Sequence, residues 1–343
     1  MATPRVLISI LNWNKAEITL QCLASLENLE RQSMTVDILV LDNGSHEADY
    51  EKLCAGVHGG RLQIQRSDVN LGFTGGHNVA LKKAIVENYD FVWMLNNDTT
   101  VQRDTLARLV TAISADDQCG AVSPVIMPDD GGVPENAWGL VHDWRERNAR
   151  WMQSEAASRV MHRERPHDIC LSGTANLLRV QAICEIGLLD ERLFAYYDDN
   201  DIGARLGHAG WRCQVVFDAV ALHSAPPQTV RPLYFFYLMF RNEMIFWNSN
   251  MPVAFRKLLW LKLVNQSLFR INHLRRQGLS QQADSALLGV WDFICKRHGA
   301  PRLGCKAPLL LRAALGLSGR LHARQLSMGD TVARSPSVEK KLH

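Results

Sequence analysis

The first half of the chain alternates between short apolar runs and segments with helical spacing. The runs Val6–Leu11, Ile38–Leu41 and Phe91–Leu95 are β-branched or apolar throughout, and polar, turn-forming residues follow each of them. Between the first two runs, Ala16–Leu29 places apolar residues at the spacing of an amphipathic helix. A strand, a helix and a second strand at this length predict a βαβ unit of a parallel sheet.

The same pattern continues to residue 126 and returns after residue 168. The further predicted strands are 62–65, 121–126, 169–180 with a break at 172–174, and 214–217, and the further predicted helices are 78–87, 104–114 and 201–209. A glycine-rich loop is predicted at 70–76, directly before the first of these helices. This alternation predicts an open α/β sheet, with functional loops at the carboxyl ends of its strands.

Two other segments have a different character. Residues 128–168 are rich in proline, glycine, charge and tryptophan, and we interpret them either as a surface insertion that contacts a ligand or as a loop whose tryptophans pack on the body. Beyond two prolines at 226–227 the pattern becomes helical. The predicted domains are an α/β domain (1–228), which the resemblance described below makes the catalytic one, a basic, aromatic-rich helical extension (229–325) and a disordered tail (326–343).

Length and composition exclude several classes of protein. The chain has 343 residues, 47% of them hydrophobic and 21% charged, which disfavours disordered, collagen-like and coiled-coil proteins. Its apolar stretches are shorter than the roughly 18–20 residues of a membrane-spanning helix, and the start of the sequence does not have the pattern of a signal peptide. We therefore expect a cytoplasmic protein. The eight scattered cysteines favour neither a disulfide framework nor a zinc site.

The net charge of +3 hides an uneven distribution along the chain. Residues 1–225 carry 20 basic and 30 acidic residues, whereas residues 226–343 carry 18 basic and five acidic residues. A basic, aromatic-bearing end predicts contact with an anionic surface or ligand, and peripheral binding at the inner membrane face is one interpretation. A homodimer contact through the C-terminal helices is another. No nucleic-acid-binding motif matches, so we expect no nucleic-acid partner.

Acidic and amide side chains cluster in two places. Asn96, Asn97 and Asp98 directly follow a predicted strand, where they offer oxygen ligands to a hard divalent cation or form only a turn. Asp198 and Asp199 belong to a run of carboxylates that opens a predicted helix. Their repulsion should raise the pKa of at least one of them, and one held as the anion near a hydroxyl would be a general base. Capping of the helix is the alternative interpretation.

Seven motifs in order along the chain change this picture. They are 12–14, 42–45, 70–78, 95–99, 187–194, 197–201 and 221–223. The series resembles the family 2 inverting glycosyltransferases of the GT-A fold, most closely their rhamnosyltransferase-like branch, and covers about residues 5–245. The resemblance implies the GT-A architecture, a Rossmann-like open mixed sheet flanked by helices, with the C-terminal helices as an extension outside it.

The resemblance also implies a role for each matching residue. Asp199 would be the catalytic carboxylate, and Asp98 and His223 would hold Mg²⁺ or Mn²⁺. Apart from the resemblance, we place Asp198, Gly173 and Trp138 on the sugar or acceptor side, since the tryptophans of the 128–168 segment could stack on sugar rings. The residues that would bind the donor nucleotide are Asn12, Trp13, Asn14, Asp42, Gly75, Asn78 and Asn97, with Trp13 stacking on the base and Asp42 bonding its imide.

This sequence departs from the family pattern at two positions. Asn96 stands where the family has the first carboxylate of its D-x-D motif, and Asp198 stands where it has a glutamate. Fewer anionic ligands predict weaker intrinsic metal affinity and reliance on the donor diphosphate.

The activity that the resemblance implies is metal-dependent, inverting transfer of a sugar, with rhamnose as the first choice. The donor would be a dTDP- or UDP-linked sugar, and the acceptor a glycan or lipid-linked glycan in cell-surface polysaccharide synthesis. The alternatives are UDP-dependent transfer of galactofuranose or GlcNAc, and a catalytically silent glycan-binding relative. A nucleotide-sugar pyrophosphorylase and a dinucleotide-dependent oxidoreductase are disfavoured, because Asn12-Trp13-Asn14 stands where each would need a glycine-rich loop.

Overall fold

The computed structural model describes residues 3–31, 34–57, 61–132, 137–224, 231–256, 258–313 and 315. The strands are β1 (Arg5–Asn12), β2 (Thr35–Asn43), β3 (Leu62–Ser67), β4 (Phe91–Leu95), β5 (Thr99–Val101), β6 (Cys119–Pro128), β7 (Leu140–Asp143), β8 (Asn148–Trp151), β9 (Ile169–Cys170), β10 (Ala175–Arg179) and β11 (Arg212–His223). The α-helices are α1 (Ala16–Glu27), α2 (Glu47–Gly56), α3 (Gly72–Val86), α4 (Thr105–Ser114), α5 (Glu155–Glu164), α6 (Val180–Ile186), α7 (Asp198–His208), α8 (Leu233–Asn250), α9 (Leu259–Arg276) and α10 (Ser280–Ile294), and Val253–Phe255 forms a short 3₁₀ helix.

Eight of the described strands form one mixed sheet in the order β3-β2-β1-β4-β10-β6-β11-β5. Strand β10 runs antiparallel to both of its neighbours, and β5 runs antiparallel to β11, while the remaining pairs are parallel. The carboxyl ends of β1, β2, β4, β6 and β11 therefore lie at one edge, where β5 and β10 begin. Loops at this edge bring together residues that are far apart in sequence.

Apolar side chains on the two faces of the sheet form two cores. In β1, Val6, Ile8 and Ile10 belong to one core and Leu7 to the other, as the alternation of a strand requires. Helices α1 and α4 cover the first core, and α3, α6 and α7 cover the second. The predicted α/β sheet flanked by helices is confirmed.

Two local predictions are wrong. The glycine-rich segment at 70–76 is a loop only at its start, because α3 already begins at Gly72. The interpretation of residues 128–168 as a loop is wrong, because they contain the β7–β8 hairpin and α5, and β7 also pairs with β9 to give a second, three-stranded sheet. Their role as a surface insertion that contacts a ligand stays a prediction. Residues 133–136 of this segment, and the predicted disordered tail 326–343, lie outside the described residues.

The chain divides into two compact units, residues 1–229 and 230–343. The second unit packs α8, α9 and α10 around a buried polar centre, in which the Tyr237 hydroxyl donates to Asp292 Oδ2 over 2.7 Å and Arg241 donates to the carbonyl oxygen of Gly299 over 2.7 Å. Among the described residues, no helix combines the length and apolar character needed to cross a membrane. The functions predicted for the two parts of the chain stay predictions.

Candidate active site

The end of β11 brings His223 beside the residue that follows β4. His223 pairs with Thr99 across the β11–β5 ladder, and the amide of Ser224 donates to the carbonyl oxygen of Asp98. As a result, His223 Nε2 lies 3.1 Å from Asp98 Oδ1, and each side chain keeps about a fifth of its surface exposed. Residues 125 positions apart thus meet at the functional edge of the sheet.

The geometry of this pair fits two ligands of one metal ion. Asp98 Oδ1 is buried and has no hydrogen-bond partner among the described residues, so the contact with His223 lacks hydrogen-bond geometry. Neighbouring ligands of an octahedral ion with bonds of about 2.1 Å lie about 3.0 Å apart. The described residues contain no group of three or more such ligands. Two protein ligands agree with the expected reliance on oxygen atoms from a bound diphosphate.

The segment directly before α7 has an unusual backbone conformation, which determines where the first turn of α7 lies. Phe194, Tyr196 and Tyr197 all adopt left-handed conformations, with φ near +67°. Such conformations cost non-glycine residues about 1 kcal/mol or more each and persist only where surrounding contacts enforce them. Two of those contacts come from α3: the amide of Thr74 donates to the carbonyl oxygen of Phe194, and Gly72 lies directly against Phe194.

Asp198 and Asp199 differ in their surroundings at the N-terminus of α7. Burial, reinforced by the charge of Asp199, raises the pKa of Asp198 to about 8. Burial also raises the pKa of Asp199, but the backbone and side-chain amides of Asn200 donate to its Oδ1 over 2.8 and 2.9 Å and oppose that rise. Within the pair, we therefore assign the proton to Asp198 and the negative charge to Asp199.

A short turn between β9 and β10 touches both acidic motifs. The carbonyl oxygen of Thr174 accepts from the amide of Asn96 over 2.9 Å, and the amide of Gly173 donates to the carboxylate of Asp199. A Cβ added to Gly173 would lie 3.6 Å from Cβ of Asp199, which is ordinary van der Waals contact and shows how near the turn lies to this residue. The structure thus brings the Asp98 and Asp199 motifs to one turn at the same edge of the sheet.

Buried polar contacts join the ends of β1, β2 and β4. Asn97 Nδ2 donates to Thr19 Oγ1 over 2.9 Å, and that hydroxyl donates to Asn12 Oδ1 over 2.8 Å. Asn12 Nδ2 donates in turn to Asp42 Oδ1 and Asp49 Oδ2, both at 2.9 Å. Asn12 and Asp42 are fully buried, so in this structure their side chains hold the β1 and β2 loops in register.

The loop after β1 exposes an aromatic ring next to this network. Trp13 is 49% exposed, whereas most tryptophans of a folded domain are largely buried. Asn14 is held by two contacts, because its amide donates to Ser45 Oγ and its Oδ1 accepts from the amide of His46. A fixed loop with an exposed indole suits the stacking of a planar ring.

Three further predicted site residues contact protein groups. Asn78 accepts from the amide of Leu189 and donates to Glu191, so it anchors the 187–194 segment. Gly75 is buried within α3. Trp138 packs its ring against Phe217 with centroids 6.2 Å apart. The ligand-binding roles predicted for these residues stay predictions.

Several residues around the site carried no signal in the sequence. Thr19 and Asp49 act through the buried network. Ser45 and Asn200, which act through that network and through Asp199, lie inside the 42–45 and 197–201 motifs but were given no role of their own. His142 contacts Asn200 from the second sheet. Short-range patterns do not identify such residues, because their partners come from other elements.

Comparisons with known proteins agree with this architecture. The solved structure of mannosyltransferase PcManGT from Pyrobaculum calidifontis, in complex with GDP-Man and Mn²⁺, superposes with a TM-score of 0.54 at 17% identity, covering 94% of this chain and 81% of that one. The fold is the GT-A fold. The chain belongs to glycosyltransferase-like family 2, whose sequence profile matches residues 4–242, and it is a glycosyltransferase.

Two relatives from Mycobacterium tuberculosis narrow the comparison. An N-acetylglucosaminyl-diphospho-decaprenol L-rhamnosyltransferase is 29% identical over 213 residues, which cover 57% of this chain and 69% of the relative. Galactofuranosyltransferase GlfT1 is 27% identical over 215 residues, which cover 61% of this chain and 67% of the relative. The predicted resemblance to family 2 and to its rhamnosyltransferase-like members is confirmed.

Proposed function

We propose that this protein transfers a sugar, with rhamnose as the first choice, from a nucleoside-diphosphate donor to a glycan or lipid-linked glycan, with inversion at the anomeric carbon. The observation that carries the proposal is the turn at Gly173 and Thr174, which contacts both the Asp98 motif and Asp199. A cation site and a carboxylate base must lie this close for one to stabilise the leaving group while the other faces the incoming hydroxyl.

The loops after β1, β2 and β4 bind the donor. The exposed Trp13 ring stacks on the base, and the buried contacts of Asn12, Asp42 and Asn97 keep that loop in place. Direct hydrogen bonding of Asp42 to the base requires a local rearrangement, because its side chain is fully buried in this structure. We therefore assign Asp42 and Asn12 chiefly to the positioning of Trp13 and Asn14.

Asp98 and His223 would hold the divalent cation, Mg²⁺ or Mn²⁺, and a bound cation would neutralise charge on the departing diphosphate. Asp199 accepts the proton of the acceptor hydroxyl as that oxygen attacks the anomeric carbon. Its two donors from Asn200 and the amide of Gly173 keep it ionised and oriented. Asp198, which carries the shared proton, leaves a single negative charge at the base.

The test measures release of the nucleoside diphosphate from dTDP-rhamnose, UDP-galactofuranose and UDP-GlcNAc in the presence of oligosaccharide or lipid-linked acceptors. We expect turnover with dTDP-rhamnose, its loss on chelation of the metal and its recovery with Mn²⁺. Asp199→Asn should lower kcat by about 10²–10⁴-fold without weakening donor binding. Asp104→Asn, which changes an exposed carboxylate paired with Arg108, is the matched control.

Three results would contradict the proposal: near-normal turnover of Asp199→Asn, turnover that persists in chelator, or retention of anomeric configuration in the product. Turnover with UDP-galactofuranose alone would favour the second candidate function, a galactofuranosyltransferase. The similarity to GlfT1 supports this candidate. Donor binding without transfer to any acceptor would instead indicate a catalytically silent glycan-binding relative.

We further propose that the C-terminal unit binds an anionic membrane surface where a lipid-linked acceptor resides. In α9, Trp260, Leu261 and Phe269 are exposed, and Lys262 is exposed beside them. Exposed aromatic and aliphatic side chains next to basic ones are typical of helices that lie in a membrane interface. A homodimer through these helices is the competing interpretation, and the vesicle experiment described in the Discussion separates the two.

A further inference from the structure

A hydrogen-bonded chain leads from the second sheet to the carboxylate of Asp199. His142, in β7, is fully buried, and its Nε2 lies 3.0 Å from Asn200 Oδ1. On the other side of the ring, His142 Nδ1 lies 3.3 Å from the Sγ of Cys170, in β9. Asn200 Nδ2 then donates to Asp199 Oδ1 over 2.9 Å.

The protonation states of these groups set the direction of the hydrogen bonds that link Cys170, His142, Asn200 and Asp199. Burial lowers the pKa of His142 to about 4 and holds the pKa of the Cys170 thiol well above its ordinary value, so the imidazole is neutral and the thiol keeps its proton. The thiol has two acceptors within reach, His142 Nδ1 at 3.3 Å and the carbonyl oxygen of Asn200 at 3.7 Å, and we assign its proton to the nearer one, which leaves the imidazole proton on Nε2. The Nε2–H then donates to the amide oxygen of Asn200, whose NH₂ group must face Asp199.

The surrounding packing fixes this arrangement. Gly203, in α7, lies so close to Cys170 that a Cβ there would come within 2.4 Å of the sulfur. The Trp144 ring lies 5.1 Å from that of His142, and Trp144 Nε1 donates to Asp168 Oδ1 over 2.9 Å. The imidazole is therefore held by Cys170 in β9, by Trp144 directly after β7 and by Asn200 in the first turn of α7.

We infer that His142 is a positioning residue for Asp199: it fixes the Asn200 amide so that the NH₂ group, and not the carbonyl oxygen, faces the carboxylate. A reversed amide would place an oxygen lone pair against Asp199 Oδ1 and would turn the carboxylate away from the acceptor hydroxyl. The inference rests on the proposed function of Asp199 as the base. If it holds, residues of the second sheet help to position the catalytic base.

The experiment compares His142→Phe, which removes the donor at similar volume, with His142→Gln, whose amide can still donate to Asn200. We expect His142→Phe to lower kcat by about 10–100-fold with the KM for the donor within about twofold of the wild type, because residues that orient a catalytic group act on turnover. His142→Gln should recover a large part of kcat, and it keeps the test available if His142→Phe folds poorly.

His162→Phe is the matched control. This variant also removes a histidine that accepts a hydrogen bond, because His162 Nε2 accepts from the amide of Val215. The His162 ring packs against Phe217 and not against Asn200. Its kcat should stay within about twofold of the wild type. An equal loss of kcat in His162→Phe and His142→Phe would overturn the inference, because general loosening of the domain would then explain both.

A double-mutant cycle tests whether His142 acts through Asn200. If it does, His142→Phe combined with Asn200→Ala has the kcat of Asn200→Ala alone, whereas independent effects would multiply. Multiplying effects would overturn the inference, and so would unchanged turnover in Asn200→Ala.

An NMR measurement gives a readout that does not depend on activity. In protein labelled with ¹⁵N-histidine, the signal lost in His142→Phe should be that of a neutral imidazole with its proton on Nε2. An Nδ1–H tautomer in an active enzyme would overturn this inference alone. Absence of transfer by the wild type with every donor would overturn the proposed function and this inference with it, even if the Nε2–H tautomer is found.

Discussion

At the scale of single residues, the candidate site contains two neighbouring carboxyl groups, and burial raises the pKa of both. Asp199 receives hydrogen bonds from both amides of Asn200 and from the amide of Gly173, while Asp198 has backbone donors alone and is buried next to a negative charge. The environment thus separates two residues of the same type into an anion and an acid. The cost of keeping Asp198 buried depends on pH and can be measured in the absence of donor and metal.

We predict that Asp198 makes stability fall as pH rises from about 4 to about 8. The pKa of Asp198 is about 8 in the folded protein and about 4 in an unfolded chain, so in this window the folded state holds the extra proton. Asp198→Asn should flatten this part of the profile and raise the free energy of unfolding at pH 8 by roughly 1–3 kcal/mol. Urea unfolding at pH 5 and pH 8 in chelator measures the effect.

Asp190→Asn is the control of opposite sign. Although burial opposes it, Arg192 lowers the pKa of Asp190, so the contribution of this carboxylate is present at neutral pH and disappears in acid. Its amide variant should lose stability at pH 8. A destabilised Asp198→Asn, or an unchanged slope between pH 5 and pH 8, would contradict the assignment of the proton to Asp198.

At the scale of elements, the sequence was informative wherever one element carries its own pattern. Apolar runs predicted β1, β2 and β4, and polar residues at their ends predicted where the site lies. The helix predicted at 78–87 is present, but the prediction missed the start of α3 at Gly72, because glycines lower helix propensity and indicate a loop, while contacts with the 187–197 segment support a helix there. It also failed for β8, none of whose four residues is buried and whose sequence carries no apolar pattern.

The supporting residues could not be predicted for a different reason. His142 and Asn200 are 58 positions apart, and their contact exists only because the second sheet packs near the start of α7. Nothing in the neighbouring sequence of either residue marks that contact. A motif search finds residues that act on a ligand more readily than residues that act on another side chain.

We predict that Gly72→Ala damages both stability and turnover. Gly72 has φ of +73°, and an added Cβ would lie 2.4 Å from the carbonyl oxygen of Phe194, so the strained segment before Asp198 must shift. We expect a loss of roughly 2–4 kcal/mol in the free energy of unfolding, of which the left-handed backbone accounts for about 1–2 kcal/mol. Urea unfolding and the transferase assay measure the two effects.

Gly210→Ala separates strain from contact, because Gly210 has φ of +88° with no atom within 4 Å of an added Cβ. This variant should lower the free energy of unfolding only by the cost of the left-handed backbone, about 1–2 kcal/mol, and should keep near-normal turnover. Equal effects of the two variants would show that α3 does not support the catalytic segment.

At the scale of the whole molecule, charge and apolar surface are distributed unevenly between the two units. The acidic residues are concentrated before residue 226, while the later part of the chain holds 18 basic and five acidic residues. In the C-terminal unit the exposed apolar side chains of α9 follow Leu258, which is 56% exposed, and Val253, which is 79% exposed. Such a combination favours binding at an anionic bilayer surface over an ordinary solvated surface.

We predict that the protein sediments with vesicles containing anionic phospholipid and much less with neutral phosphatidylcholine vesicles. The bound fraction should fall when salt is raised from 0.15 to about 0.5 M, because screening shortens the range of the attraction. Trp260→Ser combined with Leu261→Ser should weaken binding about tenfold, which corresponds to roughly 1–2 kcal/mol of lost apolar burial. Val86→Ser, which changes an apolar side chain that is 78% exposed in the first unit, should leave binding unchanged. Equal binding of the double variant and the wild type would contradict the membrane proposal. If the wild type instead forms a concentration-dependent dimer that the double variant abolishes, the same surface binds a second copy of the chain.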